Sequence, residues 1–199
     1  KAVPAQVGLA RALIELSRFD EGEKAAAAAL ALDAKDAGAR IAHGLALSNL
    51  GRADEAKKEL AQAFKADPKD PLCARGYVEV LLRADDAPAA AEIAEGFVKA
   101  RPQHPLGPFL LAWTLERDGE DAGALEQYQR ALELDPAYLD AHKNLAILAH
   151  TLSKTYQDKE RVKLAYAHYE RYFALGGKDP ELRQMYDNLL SFKDQILGM

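Results

Sequence analysis

The chain has 199 residues and a formal net charge of −5, with 49% hydrophobic and 29% charged residues, a composition typical of a soluble folded protein. The negative charge argues against nucleic acid as a general partner, because neutralising phosphates requires a basic surface. The sequence has no run of eighteen apolar residues, so we expect no membrane insertion. The single cysteine, Cys73, excludes an internal disulfide and leaves the redox compartment open.

Three prolines, Pro68, Pro102 and Pro136, stand 34 residues apart, and the residues before them repeat in step. Self-similarity at such a period is the signature of a solenoid of stacked units. Each period carries two apolar runs at helical spacing with a break between them, which predicts a helix–turn–helix. The sequence therefore divides into repeats at 3–36, 37–70, 71–104, 105–138 and 139–179, followed by a last helix at 180–199.

The first four repeats differ in how closely they keep the pattern. The first has Ala34 in place of the closing proline, and the third has Phe97 where the others have alanine, so both are degenerate. In the second repeat, Gly44 and Ala56 predict a close approach of the two helices. The fourth repeat keeps the same pattern as the second.

The fifth repeat is seven residues longer than the others, and seven residues make about two helical turns. We predict that each of its helices gains one turn and that the segment around residues 152–161 projects beyond the array. A seven-residue loop is the alternative. Gly176 and Gly177 then predict a helix end.

Asp179 and Pro180 predict the start of a further helix, as N-cap and first helical residue. Apolar residues follow at spacings of three and four. They are Leu182, Met185, Leu189, Phe192 and Ile196. A solenoid leaves its last repeat with an uncovered apolar face, which favours a capping helix; a dimerisation seam is the alternative.

Two repeats carry a recognisable residue pattern. The second has Gly44, Gly51, Ala56, Ala63 and Pro68, and the fourth has Ala112, Gly119, Ala124, Tyr128, Ala131 and Pro136. They resemble the tetratricopeptide repeat (TPR) family. The resemblance implies an all-α fold, a right-handed superhelical solenoid of five helix–turn–helix units with a C-terminal capping helix. The alanine-rich repeats also resemble TPR proteins of bacterial cell-envelope machines, such as those of gliding motility and type IV pilus assembly.

The TPR resemblance also implies a binding surface, since the first helix of each repeat lines a concave groove in that family. The groove residues it implies are Ile41, Leu45, Asn49, Arg75, Glu79, Arg83, Phe109, Trp113, Arg117, Lys143, Asn144 and Ile147. Because tryptophan and arginine are enriched among binding hot spots, we expect Trp113 and Phe109 to anchor a partner, with Arg75 and Lys143 on either side. A core position between helices is the alternative for both rings.

The sequence shows no catalytic constellation, no cofactor motif and no clustered metal ligands. His142 and His150 share a helix face but are eight residues apart, about 12 Å along a helix, too far to bind one ion. We therefore expect no enzyme, cofactor or metal.

The function we expect is a non-enzymatic protein–protein interaction scaffold. Its groove would bind a peptide or helix of a partner, apolar with acidic flanks, in a bacterial envelope assembly. Two alternatives are a self-assembling scaffold that dimerises through the C-terminal helix and a regulatory domain of an enzyme. We expect a monomer, soluble in a bacterial cytoplasm or periplasm.

Overall fold

The structure is a computed structural model that describes residues 2–153 and 157–191. It divides into two compact units, Lys1–Pro102 and Gln103–Met199. Unit 1 contains six helices, α1 (Ala2–Glu15), α2 (Phe19–Leu32), α3 (Ala37–Asn49), α4 (Ala53–Ala66), α5 (Pro71–Arg83) and α6 (Ala87–Ala100). The described part of unit 2 contains five, α7 (Leu106–Asp118), α8 (Asp121–Leu134), α9 (Leu139–Leu152), α10 (Lys159–Ala174) and α11 (Pro180–Ser191).

The turn inside each of the first four repeats has the same backbone geometry. One residue per turn lies in the left-handed region, namely Ser17, Gly51, Asp85 and Gly119, each 34 residues after the last, with φ between 59° and 81°. The next residue donates its N–H to a carbonyl five residues earlier, at 2.8–3.0 Å. The predicted period is therefore confirmed at the level of single backbone angles.

Glycines let the first helices of successive repeats approach one another in unit 1. Helix α3 packs against α1 and α5 as well as against α2 and α4. A Cβ at Gly38 would lie 3.3 Å from Cγ1 of Val7, and one at Gly76 would lie 2.5 Å from Cδ2 of Leu45. The first helices therefore form the closely packed layer of this unit.

Small residues also let the two helices within a repeat approach each other closely, as predicted. A Cβ at Gly44 would lie 2.7 Å from Cγ of Leu60, and Ala56 is fully buried. Ala63 joins the same core cluster as Cys73 and Val80 of the next repeat. Larger side chains at these positions would force the helices apart.

The prediction of one extra turn on each helix of the fifth repeat is wrong. Helices α9 and α10 have 14 and 16 residues, against 13 and 14 in α7 and α8. The extra length falls mainly between the two helices because both ends are capped. Ser153 Oγ donates to the His150 carbonyl at 2.7 Å, and Asp158 accepts the Arg161 N–H at 3.1 Å. Residues 154–156 of the predicted projection lie outside the described residues.

Helix α11 packs on α10, as predicted for a capping helix. Pro180 is its first residue, and Asp179 accepts the Leu182 N–H at 3.2 Å. Leu182 and Leu189 are buried in a cluster with residues of α9 and α10. Phe192 and Ile196 lie outside the described residues. Among the helices described, none is both long enough and apolar enough to cross a membrane.

Candidate functional site

The predicted groove residues of unit 1 lie on α3 and α5 and differ in accessibility. Ile41 is buried, Leu45, Arg75 and Glu79 are half-buried, and Asn49 and Arg83 are exposed. Ile41 is only 1% exposed and belongs to a core cluster with Leu47 and Leu60. Its prediction as a partner contact is therefore wrong, because its side chain points between helices.

The polar groove residues of unit 1 bind one another. Arg83 forms an ion pair with Glu79, one turn earlier on α5, and donates to Ser48 Oγ of α3 at 3.3 Å. The Asn49 amide donates to the carbonyl of Leu45 at 2.9 Å. This surface is polar, with Leu45 as its half-buried apolar residue.

The predicted groove residues of unit 2 lie on α7 and α9. Phe109 is buried, Trp113, Lys143, Asn144 and Ile147 are half-buried, and Arg117 is exposed. Phe109 is 2% exposed, with its ring centroid 5.7 Å from that of Tyr128 and 5.2 Å from that of Tyr138. The prediction of Phe109 as a partner contact is wrong, and the alternative of a core position holds for it.

Unlike Phe109, Trp113 is only partly buried. Its ring is tilted against that of Phe109, with centroids 6.1 Å apart. Phe109 in turn is fixed by the two tyrosines. Trp113 is therefore a partly exposed ring supported by a buried aromatic cluster.

A hydrogen-bonded network joins α7, α8 and α9 beside this cluster. Tyr128 donates its hydroxyl proton to Glu116 Oε2 at 2.7 Å, and Asn144 donates to the Tyr128 hydroxyl at 3.2 Å. Burial raises the pKa of Glu116, and the hydrogen bond from Tyr128 partly opposes that rise. Because the ring of Tyr128 also contacts Phe109, polar groups adjoin the aromatic cluster.

Two further groove residues of α9, Lys143 and Ile147, make contacts within unit 2. Lys143 Nζ lies 2.8 Å from Oδ2 of Asp179, the N-cap of that helix. The hydrogen bond to Asp179 raises the pKa of Lys143 and lowers that of Asp179. Ile147 packs against the core cluster that contains Leu182 and Leu189. Lys143 is therefore paired with the residue that begins the capping helix, and Ile147 lies against the core cluster to which that helix contributes.

Sequence analysis missed a contact between two histidines of the fifth repeat. The Nδ1 atoms of His142 and His168 lie 2.8 Å apart, and Nε2 of His142 lies 3.1 Å from the Pro136 carbonyl oxygen. Burial lowers the pKa of both, that of His168 to about 4 with a further contribution from His142. The described residues contain no group of three or more metal-ligating side chains.

Stacked helix pairs with a common turn geometry and closely packed first helices define an all-α repeat solenoid. Residues 7–71 and 41–105 match the sequence profile described as tetratricopeptide repeat, and residues 117–152 match one described as TPR repeat. The chain belongs to the tetratricopeptide repeat family.

Solved structures with this fold resemble the chain over nearly its whole length. A thermophilic TPR protein of Thermus thermophilus is 19% identical, with a TM-score of 0.79 over 95% of this chain and 99% of its own. PilF of Pseudomonas aeruginosa is 16% identical, with a TM-score of 0.73 over 100% of this chain and 93% of its own. These likenesses concern the fold.

One curated relative matches part of the sequence. A UDP-N-acetylglucosamine–peptide N-acetylglucosaminyltransferase of Giardia intestinalis is 32% identical over 129 residues, which are 63% of this chain. The match covers 8% of that protein's length.

Proposed function

We propose that this protein is a non-enzymatic interaction scaffold that binds a segment of a partner protein on the surface around Trp113. The observation that carries the proposal is the partly exposed Trp113 ring on its buried support. A large ring held in one orientation loses little conformational freedom on binding, which favours it as an anchor. The TPR fold, whose members mediate protein–protein interactions, supports this role.

Polar groups beside the aromatic cluster that supports Trp113 would orient the bound segment. Asn144 uses one amide N–H on Tyr128, and an amide side chain has a second N–H and a carbonyl. Those remaining groups suit the N–H and C=O of an extended peptide backbone. Trp113 would then provide affinity through apolar contact, and Asn144 would fix the position of the bound segment along the surface.

We propose a narrower chemistry for the partner segment than the sequence alone predicts. Lys143 is held by Asp179, so we no longer assign it to an acidic residue of the partner. Arg117 lies one turn after Trp113 on α7 and is exposed; it also interacts within the chain, so an acidic residue of the partner would share or replace that contact. We propose an apolar anchor residue followed by an acidic residue, and the acidic contact weakens as salt rises because it is exposed.

Peptide selection against the intact chain tests this proposal. We expect an enriched peptide to bind Trp113→Ala at least 30-fold more weakly, which equals about 2 kcal/mol. Phe64→Ala is the matched control, because Phe64 is also a half-buried aromatic but lies in unit 1. Full affinity in a folded Trp113→Ala variant, or equal losses in both, would contradict the site.

The biological setting stays a prediction. A role in a bacterial envelope assembly, and a role as part of a larger enzyme, are each compatible with a scaffold. Identification of the natural partner by affinity capture, with Trp113→Ala as the negative control, separates them.

A further inference from the structure

Three side chains from three successive helices of unit 2 are joined by hydrogen bonds into one network. Glu116 lies on α7, Tyr128 on α8 and Asn144 on α9. Tyr128 is fully buried, whereas Glu116 and Asn144 are only half-buried. A buried hydroxyl therefore connects two side chains that remain partly accessible to solvent.

The charge of Glu116 determines the direction of both hydrogen bonds in this network. A carboxylate only accepts, so the single hydroxyl proton of Tyr128 is donated to Glu116 Oε2, at 2.7 Å. The hydroxyl oxygen then has only lone pairs left for Asn144, whose Nδ2 lies 3.2 Å away and donates an N–H. The NH2 end of the Asn144 amide is therefore held at Tyr128, and its carbonyl oxygen is not used there.

Within the network, Glu116 is the group whose protonation would change this arrangement. Burial raises the pKa of Tyr128, as does the neighbouring Glu116, so the hydroxyl keeps its proton. Burial also raises the pKa of Glu116; the hydrogen bond from Tyr128 opposes that rise, and the Asp121 carboxylate of α8 adds to it. A neutral Glu116 could donate to the hydroxyl, which would then have its own proton for the carbonyl of Asn144. The orientation of the amide therefore depends on a charged Glu116.

We propose that Glu116 and Tyr128 are positioning residues that orient the Asn144 amide, so that the bound segment must offer a backbone N–H to its carbonyl oxygen. The inference rests on the proposed function, in which Asn144 contacts the segment. An amide that is free to turn over would present its NH2 group to a segment that offers only an acceptor. The network disfavours that orientation, because it would place the carbonyl oxygen against a hydroxyl oxygen with no proton between them.

NMR of the intact chain tests the orientation of the amide without a partner. The sequence has three asparagines, Asn49, Asn144 and Asn188, so the side-chain amide signal of Asn144 is assigned by its loss in Asn144→Ala. We expect this signal to shift with pH at the midpoint of the Glu116 carboxyl signal, and to stay constant over that range in Tyr128→Phe. Glu116→Gln should show the shifted signal already at neutral pH. An Asn144 signal that does not follow Glu116, or follows it in Tyr128→Phe, overturns the proposal.

Backbone esters of the peptide enriched by selection test the requirement for an N–H. An ester replaces one backbone N–H by an oxygen and leaves the side chains unchanged. In a scan of single esters, we expect one position to weaken binding to the unsubstituted chain about tenfold. The same ester should weaken binding to Tyr128→Phe or Glu116→Gln about threefold or less, because the amide is then free to turn over. Asn49→Ala is the matched control, because the Asn49 amide lies in unit 1 and donates to a backbone carbonyl; this variant should keep the tenfold ratio.

The two proposals fail in different ways. If a folded Trp113→Ala variant binds the enriched peptide with full affinity, the proposed site is wrong, and the requirement for an N–H fails with it. If Trp113→Ala binds weakly but every ester weakens binding equally in the unsubstituted chain and in Tyr128→Phe, the site stands. The positioning role of Glu116 and Tyr128 is then wrong.

Discussion

The two units build the same helix pairs with different side chains. Unit 1 relies on alanine, glycine and leucine, as in the cluster of Ala10, Leu13, Ala25, Ala26 and Ala42. Unit 2 instead packs rings, with Tyr169, Tyr172 and Tyr186 around its last helices, and buries hydrogen-bonded polar groups. One backbone period thus tolerates two kinds of core. Unit 1 should be sensitive to added volume, and unit 2 to changes in protonation and hydrogen bonding.

The largest effect should come from filling the close helix contact of unit 1. Gly76→Val places a branched side chain where a Cβ alone would lie 2.5 Å from Leu45. We expect the free energy of unfolding to fall by about 3 kcal/mol through overpacking. Thiol labelling of buried Cys73 reports the loss within unit 1. Gly8→Val, at an open helical position, should cost far less; equal losses would show that helix propensity and not volume is responsible.

Acid should destabilise unit 2 through its histidines. Because the pKa of His168 is about 4 when folded and about 6.5 when unfolded, the unfolded chain binds more protons between these values. The contribution of neutral His168 to the free energy of unfolding is therefore fully present above pH 6.5. It is lost as the pH falls toward 4, and the free energy of unfolding then decreases by roughly 2–3 kcal/mol. The fluorescence of Trp113, the single tryptophan, reports unfolding of unit 2. His168→Gln should flatten this pH dependence, and an unchanged profile would contradict the assignment.

Removing one hydroxyl from unit 2 should have a moderate effect. Tyr128→Phe keeps the ring contacts but leaves Glu116 and Asn144 without the hydroxyl that joins them. We expect a loss of about 1–2 kcal/mol in urea unfolding, because a buried polar group loses its partner. The loss should shrink in a Glu116→Gln background, where no carboxylate needs the hydroxyl proton. Additive losses would show that the two residues are uncoupled.

The smallest expected change in stability concerns the turns. Substitutions at two equivalent turn positions should change the free energy of unfolding in opposite directions. Ser17 has φ 59° and Gly51 has φ 78°. Left-handed backbone is unfavourable for a residue with a Cβ and not for glycine. Ser17→Gly should therefore stabilise by about 0.5–1 kcal/mol, and Gly51→Ser should destabilise by about the same amount. Thermal melts of the two variants are the measurement, and shifts of the same sign would contradict this explanation.

Sequence periodicity predicted the helix pairs, the turn positions and the capping helix because each depends on local spacing. The groove positions implied by the TPR resemblance were wrong for Ile41 and Phe109. A repeat pattern gives the position of a residue along its helix. The exposure of that residue depends on side chains outside the helix, such as Leu60 and Tyr138, whose positions the pattern does not give. The pairing of Lys143 with Asp179 depends on where α11 docks, which no motif encodes.

The His142–His168 contact was missed for a different reason. The two residues lie 26 positions apart and face each other across the two helices of the longer repeat. The seven extra residues change the offset between α9 and α10, so the register of the other repeats does not give this pair.

The packing of each helix mainly on its near neighbours along the chain has a consequence for kinetics. Native contacts of this kind join residues close in sequence, so little loop entropy opposes their formation, and such chains fold quickly. Opening can likewise begin at one helix and spread, without disrupting every layer at once. Amide hydrogen exchange in unit 1 should therefore be graded, slowest in α3, which packs on helices before and after it, and faster in α1 and α6, which each pack within the unit on helices from one side.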